Sequence, residues 1–183
     1  GVGLKPVEHF ERWWQKSPAF DEEIRARFAA TYRDVVAGAH EGWLASPRGR
    51  LAYVIVLDQF ARNMFRDTPE MYAADEQALR AAVQGLDLGH DRQLAFHERG
   101  FAYMPLMHSE DIEMQKRSVK LFTQLRDQHS GALGERAQAQ LDYAVKHHDI
   151  VATWGRFPHR NAILDRTSTA DELHFLRQPG SSF

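Results

Sequence analysis

The chain has 183 residues, which suits one domain with a core large enough to need no covalent staple. It has no cysteine, which excludes disulfides, zinc–cysteine sites, iron–sulfur clusters and thiol nucleophiles. A formal charge of −2 lacks the basic excess of a nucleic-acid binder, and the longest apolar run, Leu51–Leu57, is far below the ~20 residues that cross a bilayer. Neither nucleic acid nor membrane is expected as a partner. The start shows no export signal, so the cytoplasm is the expected compartment.

Hydrophobic spacing predicts helices throughout. Phe10, Trp13 and Trp14 give one helical face in the stretch Val7–Lys16. Ser17-Pro18 opens a second helix, with Ile24, Phe28, Tyr32, Val35 and Val36 on one stripe and Gly38 as its stop. A short helix carries Trp43, and Ser46-Pro47 repeats the opening signal. The run Leu51–Leu57 has strand propensity, but no partner strand exists, so it is read as a buried helix. Thr68-Pro69-Glu70 opens the next helix, which reaches about Gln84, and Gly85–Gly89 is a loop. Asp91 opens another, which Pro105 interrupts. Ser109 caps a long helix with Ile112, Val119, Phe122 and Leu125 inward, and His129–Gly134 is a loop. A helix from Glu135 to Gly155 places His148 inward with Leu141 and Val145. A short piece runs from Phe157 to Leu164, and Thr169 with Glu172 forms a capping box for a last helix. The expectation is an all-α fold: one domain of about nine helices over the whole chain, in antiparallel hairpins, with residues 1–6 and 178–183 as loose ends.

Four segments carry more polarity than plain surface needs. In Leu57–Thr68, Asp58 and Arg62 are four apart and face each other on a helix, as do Gln59 and Asn63; Arg66 follows. Asp58 continues the line of Leu51 and Ile55 toward the core, where an acid needs a partner such as Arg62. Asp75 also falls on an apolar face and calls for a tyrosine, an arginine or a backbone group. The segment Gly155–Thr169, with Arg156, His159, Arg160 and Asn161, echoes the first through a second Arg-Asn pair. Met107–Asp111 holds His108, Glu110 and Asp111 at a helix start, and Lys146–Asp149 holds His147 and His148. Each has a structural reading as well: ion pair, turn, helix cap or satisfied core histidine.

The strings Leu57-Asp-Gln-Phe-Ala-Arg-Asn-Met-Phe-Arg66, Tyr103-Met-Pro-Leu-Met-His-Ser-Glu-Asp111, Gln115-Lys-Arg-Ser-Val119 and Gly155-Arg-Phe-Pro-His-Arg-Asn-Ala-Ile-Leu164 resemble those of the bacterial proteins grouped as domain of unknown function 924. The resemblance runs from about Trp13 to the C-terminus. Ala61 is a departure, standing where the family usually has Pro. The resemblance implies a degenerate tetratricopeptide-like helical array and no particular activity.

Two functions follow as expectations. In the first, a binding module recognises an anionic small molecule or peptide through Arg62, Arg66, Arg99, Arg156 and Arg160, whose planar forks suit carboxylate or phosphate. Asp58, Asn63, His108, Glu110, Asp111, His159 and Asn161 complete that set. In the second, a hydrolase-like or metal-dependent enzyme uses His108 or His159 as acid or base, oriented by Asp58 or Asp111. His108, His148 and His159 are the metal-ligand candidates, and no cofactor is named by any motif.

Overall fold

A computed structural model of the protein describes residues 16–182. The helix expected over Val7–Lys16, apart from Lys16, and the terminal Phe183 lie outside the described residues. Ser17 caps α1 (Pro18–Val36) by accepting from the Phe20 amide at 3.3 Å, and α1 buries Ile24, Tyr32 and Val35. Ser46 caps α2 (Pro47–Val54) in the same way, from the Gly49 amide at 3.2 Å. Pro at the first helical position fits both starts, because its missing N–H would have had no partner there.

The apolar run is helical, as expected, but not uniformly α. The backbone of α2 widens into a π-helical stretch, Ile55–Phe60, and closes again as α3 (Ala61–Met64). Within this stretch three consecutive residues, Val56, Leu57 and Asp58, are buried, at 5%, 0% and 1% exposure.

The next helix starts later than expected. Pro69–Tyr72 is a 3₁₀ turn, the Thr68 hydroxyl donates to the Phe65 carbonyl at 2.8 Å instead of capping, and α4 spans Asp75–Asp87. Gly85, expected in a loop, is a helical residue of α4 that makes room for Arg50. A Cβ there would lie 2.5 Å from the Arg50 Cδ. Arg50 is buried and donates to the carbonyls of Ala81 and Leu44 at 2.8 and 2.7 Å.

Asp91 sits in a 3₁₀ turn, and α5 (Phe96–Met107) begins where the Glu98 carboxylate accepts from the Ala95 amide at 2.8 Å. Pro105 does not interrupt α5: it lies in the last turn, where it removes a single rung. The cap of α6 (Ile112–Asp127) is Asp111, not Ser109; its carboxylate accepts from Glu113 and Met114 amides at 2.7 and 3.4 Å. Helix α7 runs Gly131–Trp154, starting ahead of the expected Glu135, and Gly155 ends it at φ 67°. Its inward stripe is Ala137, Leu141, Ala144, His147 and Val151, so His147 faces the core and His148 does not. A 3₁₀ turn, Pro158–Arg160, leads to α8 (Ala170–Phe175), where Thr169 and Glu172 form the expected reciprocal cap at 3.2 and 2.8 Å.

The fold is all-α, with no strand among the described residues. Helix α1 lies against the π-helical stretch and α3, α2 against α4, and from α4 to α7 each helix packs on the next. One core cluster surrounds Val35, Leu57, Met64 and Leu106; another surrounds Tyr103, Phe122, Leu125 and Ala144. A smaller one joins Ile150, Val151 and Phe157. No helix among the described residues is long and apolar enough to cross a membrane.

Candidate functional site

The π-helical stretch aims Asp58 at the place where α3, α4, α5 and the segment after α7 meet. Its carboxylate is contacted by Arg62 at 3.0 Å, by the His108 Nδ1 at 2.7 Å and by the Gln59 amide at 2.5 Å. Arg62 also forks onto Asp75 with two bonds of 2.9 Å. Asp75 thus finds an arginine, one of the three kinds of partner its sequence position called for. Arg160 completes the group: it approaches Asp75 at 3.5 Å, donates to the His108 carbonyl at 2.9 Å, and lies between the Tyr72 and Phe157 rings at 4.6 and 4.4 Å. Guanidinium planes on aromatic faces add cation–π attraction in a site shielded from water.

Two carboxylates, Asp58 and Asp75, here face two guanidiniums, Arg62 and Arg160. Burial alone would push the Asp58 carboxyl up, but Arg62 and then His108 hold it well below the usual carboxylate range. Burial lowers the His108 pKa and outweighs the pull of Asp58. The charges therefore balance with the imidazole neutral. An ionised Asp58 can only accept, so Nδ1–H of His108 is the donor. Nε2 of His108 has no hydrogen-bond partner among the described residues, nor is it sealed in.

His108 also lines a cavity of about 520 Å³ between α5 and α7. One wall is His97, Gly100, Phe101 and Met104 of α5; the facing wall is Arg136, Ala139, Gln140, Tyr143 and His147 of α7. Both sets follow the three- and four-residue spacing of a helix face. Among the described residues, Met107 of α5, Phe122 of α6 and Ser182 complete the lining. Burial holds His147 down at about 3, with His108 contributing, so its ring is neutral as well. Its edge packs on Phe157 at 5.5 Å.

The other residues expected at a site are distributed over separate clusters. Asn63 and Arg66 meet Asp21 of α1, at 2.7 Å and through a fork of 2.7 and 2.9 Å. Glu110 forks with Arg166 at 2.7 and 2.9 Å and accepts from the Phe157 amide at 2.7 Å. Asn161, fully buried, accepts from Arg166 at 3.0 Å and donates to Ser168 at 3.0 Å. Arg156 forks with Glu172 at 2.7 and 2.8 Å. Arg99 bonds Tyr103 and Gln128 at 3.0 and 2.7 Å. Asp111 is an exposed helix cap. His159 is held near 4 by burial and the Arg160 charge. His148 is 3.0 Å from Asp149 at the surface. Among the described residues no group of three or more acids and histidines is arranged to hold a metal ion.

The forks of Arg62, Arg66 and Arg156 are thus each taken up by an internal carboxylate. The echo between the two Arg-Asn segments extends to the backbone. The residues four after each Asn, Asp67 and Asp165, both adopt left-handed geometry, with φ of 63° and 51°. Asp tolerates that region better than most side chains.

Sequence reading missed Asp21, Tyr72, Arg166 and the cavity walls. The walls read as ordinary helix stripes. The available signal was polar side chains at helical spacing, Arg136, Gln140 and His147 on one helix and His97 on another.

Helices packed in sequence, a buried Asp–His–Arg cluster and a lined cavity mark an all-α protein with a candidate site among the described residues. The sequence matches, over residues 5–180, the family described as bacterial protein of unknown function, DUF924, and the chain belongs to that family. A solved structure titled as a protein of unknown function from Agrobacterium tumefaciens is 37% identical to it. The alignment covers 91% of this chain and 89% of that one, with a TM-score of 0.82. No curated protein matches the chain.

Proposed function

We propose that the protein binds a small molecule in the cavity between α5 and α7, and that His108, backed by Asp58, is its principal polar contact. The observation that carries this reading is the position of His108: one ring nitrogen is fixed on a buried carboxylate 2.7 Å away, and the ring lines a cavity of about 520 Å³. That volume falls within the range of small-molecule sites, which are apolar with a few placed polar groups. The arginines serve the site indirectly: Arg62 keeps Asp58 charged, and Arg62 and Arg160 pair with Asp75 and hold the wall in place. Helices α4 to α7, packed in sequence, fit the degenerate tetratricopeptide-like array that the family resemblance implies.

A second reading is enzymatic. A histidine held by a buried carboxylate is the arrangement that orients a general base in hydrolases. Turnover of a bound ligand, lost in His108→Phe while binding persists, is the result that favours it.

The test is a ligand-observed NMR screen of the purified protein with a library of apolar fragments, alongside Ala139→Trp. Ala139 lines the cavity yet is exposed, so an indole there closes the mouth without disturbing the core. Hits that bind the native protein and lose at least ~10-fold in affinity in Ala139→Trp, with an unchanged melting temperature, support the cavity as the site. No hit at millimolar fragment, or hits indifferent to Ala139→Trp, overturn it.

A further inference from the structure

We infer that the cavity selects an uncharged, largely apolar alcohol or phenol, whose hydroxyl donates a hydrogen bond to the Nε2 of His108. This rests on the cavity being the binding site and adds the chemistry of its occupant. The argument begins with the proton on the imidazole. Among the described residues, the charged or titratable groups around His108 are Asp58 from the π-helical stretch, Arg62 from α3, Asp75 from α4, His159 and Arg160 from the segment after α7, and the His147 ring of α7 at 6.0 Å. Asp58 and Asp75 are balanced by Arg62 and Arg160, so no further positive charge is called for. The 2.7 Å contact between Nδ1 and the Asp58 carboxylate places the ring's one proton on Nδ1. Nε2 is then a bare lone pair, and it can only accept.

The remaining lining agrees with a neutral guest. Gly100, Phe101, Met104, Met107 and Phe122 supply an apolar surface that would desolvate a carboxylate or phosphate at a cost, and the Arg136 side chain on the facing wall is already engaged. A carboxylate oxygen would also face the Nε2 lone pair directly, acceptor against acceptor. A hydroxyl meets both demands: it gives its proton to Nε2 and brings no charge. A ligand ether of the same shape fills the same space but leaves Nε2 dry and unpaired, which a buried site penalises.

The experiment compares matched triples on two frameworks: β-naphthol, its methyl ether and β-naphthoate; then decanol, methyl decyl ether and decanoate. Affinities are measured by NMR titration at neutral pH for the native protein, Ala139→Trp and His108→Phe, the last two checked for folding by circular dichroism. The alcohol of at least one framework is expected to bind about five- to tenfold more tightly than its ether, the loss expected of one buried hydrogen bond, and the carboxylate more weakly still. His108→Phe removes the preference for alcohol over ether but not the binding of the ether. In the free protein, ¹⁵N spectra of the His108 ring should show a protonated Nδ1 and an unprotonated Nε2. Equal affinity for alcohol and ether, tightest binding of the carboxylate, or a doubly protonated ring overturns the inference while leaving the cavity as a site. If no member of either triple binds, or binding survives Ala139→Trp, the cavity reading itself fails.

Discussion

At the scale of single residues, Asp58 makes the strongest statement. It is 1% exposed and its charge is met by Arg62, His108 and Gln59. Removing one partner from a buried ionic group leaves the others uncompensated. Asp58→Ala should therefore cost about 3–5 kcal/mol in urea unfolding. Asp58→Asn keeps the shape and an acceptor for His108, so it should cost less. A loss below 1 kcal/mol in Asp58→Ala, taking ~1 kcal/mol as the worth of an exposed pair, would mean that the cluster contributes little to stability. The Asp58–Arg62 pair was legible in the sequence because both residues lie on one helix, four apart. The forks of Arg66 on Asp21, 45 residues away, and of Arg166 on Glu110, 56 residues away, were not. Nothing local encodes a partner that tertiary folding delivers. The inward histidine of α7 was displaced by one position for a similar reason. His147 and His148 differ by a ~100° rotation, and only the packing of α7 on α6 sets the phase.

At the scale of elements, several boundaries set by local chemistry were legible, although Thr68 and Ser109, both read as caps, gave way to a 3₁₀ turn and to Asp111. Ser17, Ser46, Gly155 and the Thr169–Glu172 box all act within one turn of their own helix. Thr169→Ala should cost about 1 kcal/mol, read from thermal melts, because it breaks one side of the reciprocal cap. Gly85 shows the opposite case. As a helical residue it should gain about 1 kcal/mol from replacement by Ala on propensity alone. Yet its added methyl would press on Arg50, which two backbone carbonyls fix in place. Overpacking of that kind costs about 1–3 kcal/mol, so Gly85→Ala should be net destabilising in urea titration. A stabilised variant would show that Arg50 yields easily. The loop expected at Gly85 followed from the glycine itself, which in sequence cannot be told from a turn residue.

At the scale of the whole molecule, acid sensitivity follows from histidines folded in their neutral form. His147 is held near 3 and His159 near 4, both mainly by burial. An unfolded histidine titrates near 6.5, so below that pH the unfolded chain takes up protons that the folded chain refuses. This part of the stability is present above about pH 6.5 and drains away as the pH falls toward 4. Asp21, Asp58 and Glu110, with lowered pKa values, add to the loss only as the pH drops further, below the ordinary carboxylate range. Melting temperatures should thus decline between pH 7 and 5, before the carboxylates contribute, and His147→Phe should flatten that decline. A flat profile in the native protein would contradict the neutral, buried state of these rings. The π-helical stretch Ile55–Phe60 has its own consequence at this scale. It acts as a phase shifter in a single rod: α2 is turned toward α4, while the part beyond it is turned toward α1. Deleting one residue from the stretch would restore a regular winding but rotate everything after it by about 100°. Ala61 and Met64 would swing off α1, and Arg62 would leave Asp75. The two halves of the molecule are held in angular register by a single surplus residue, so insertions and deletions there should be far less tolerated than substitutions.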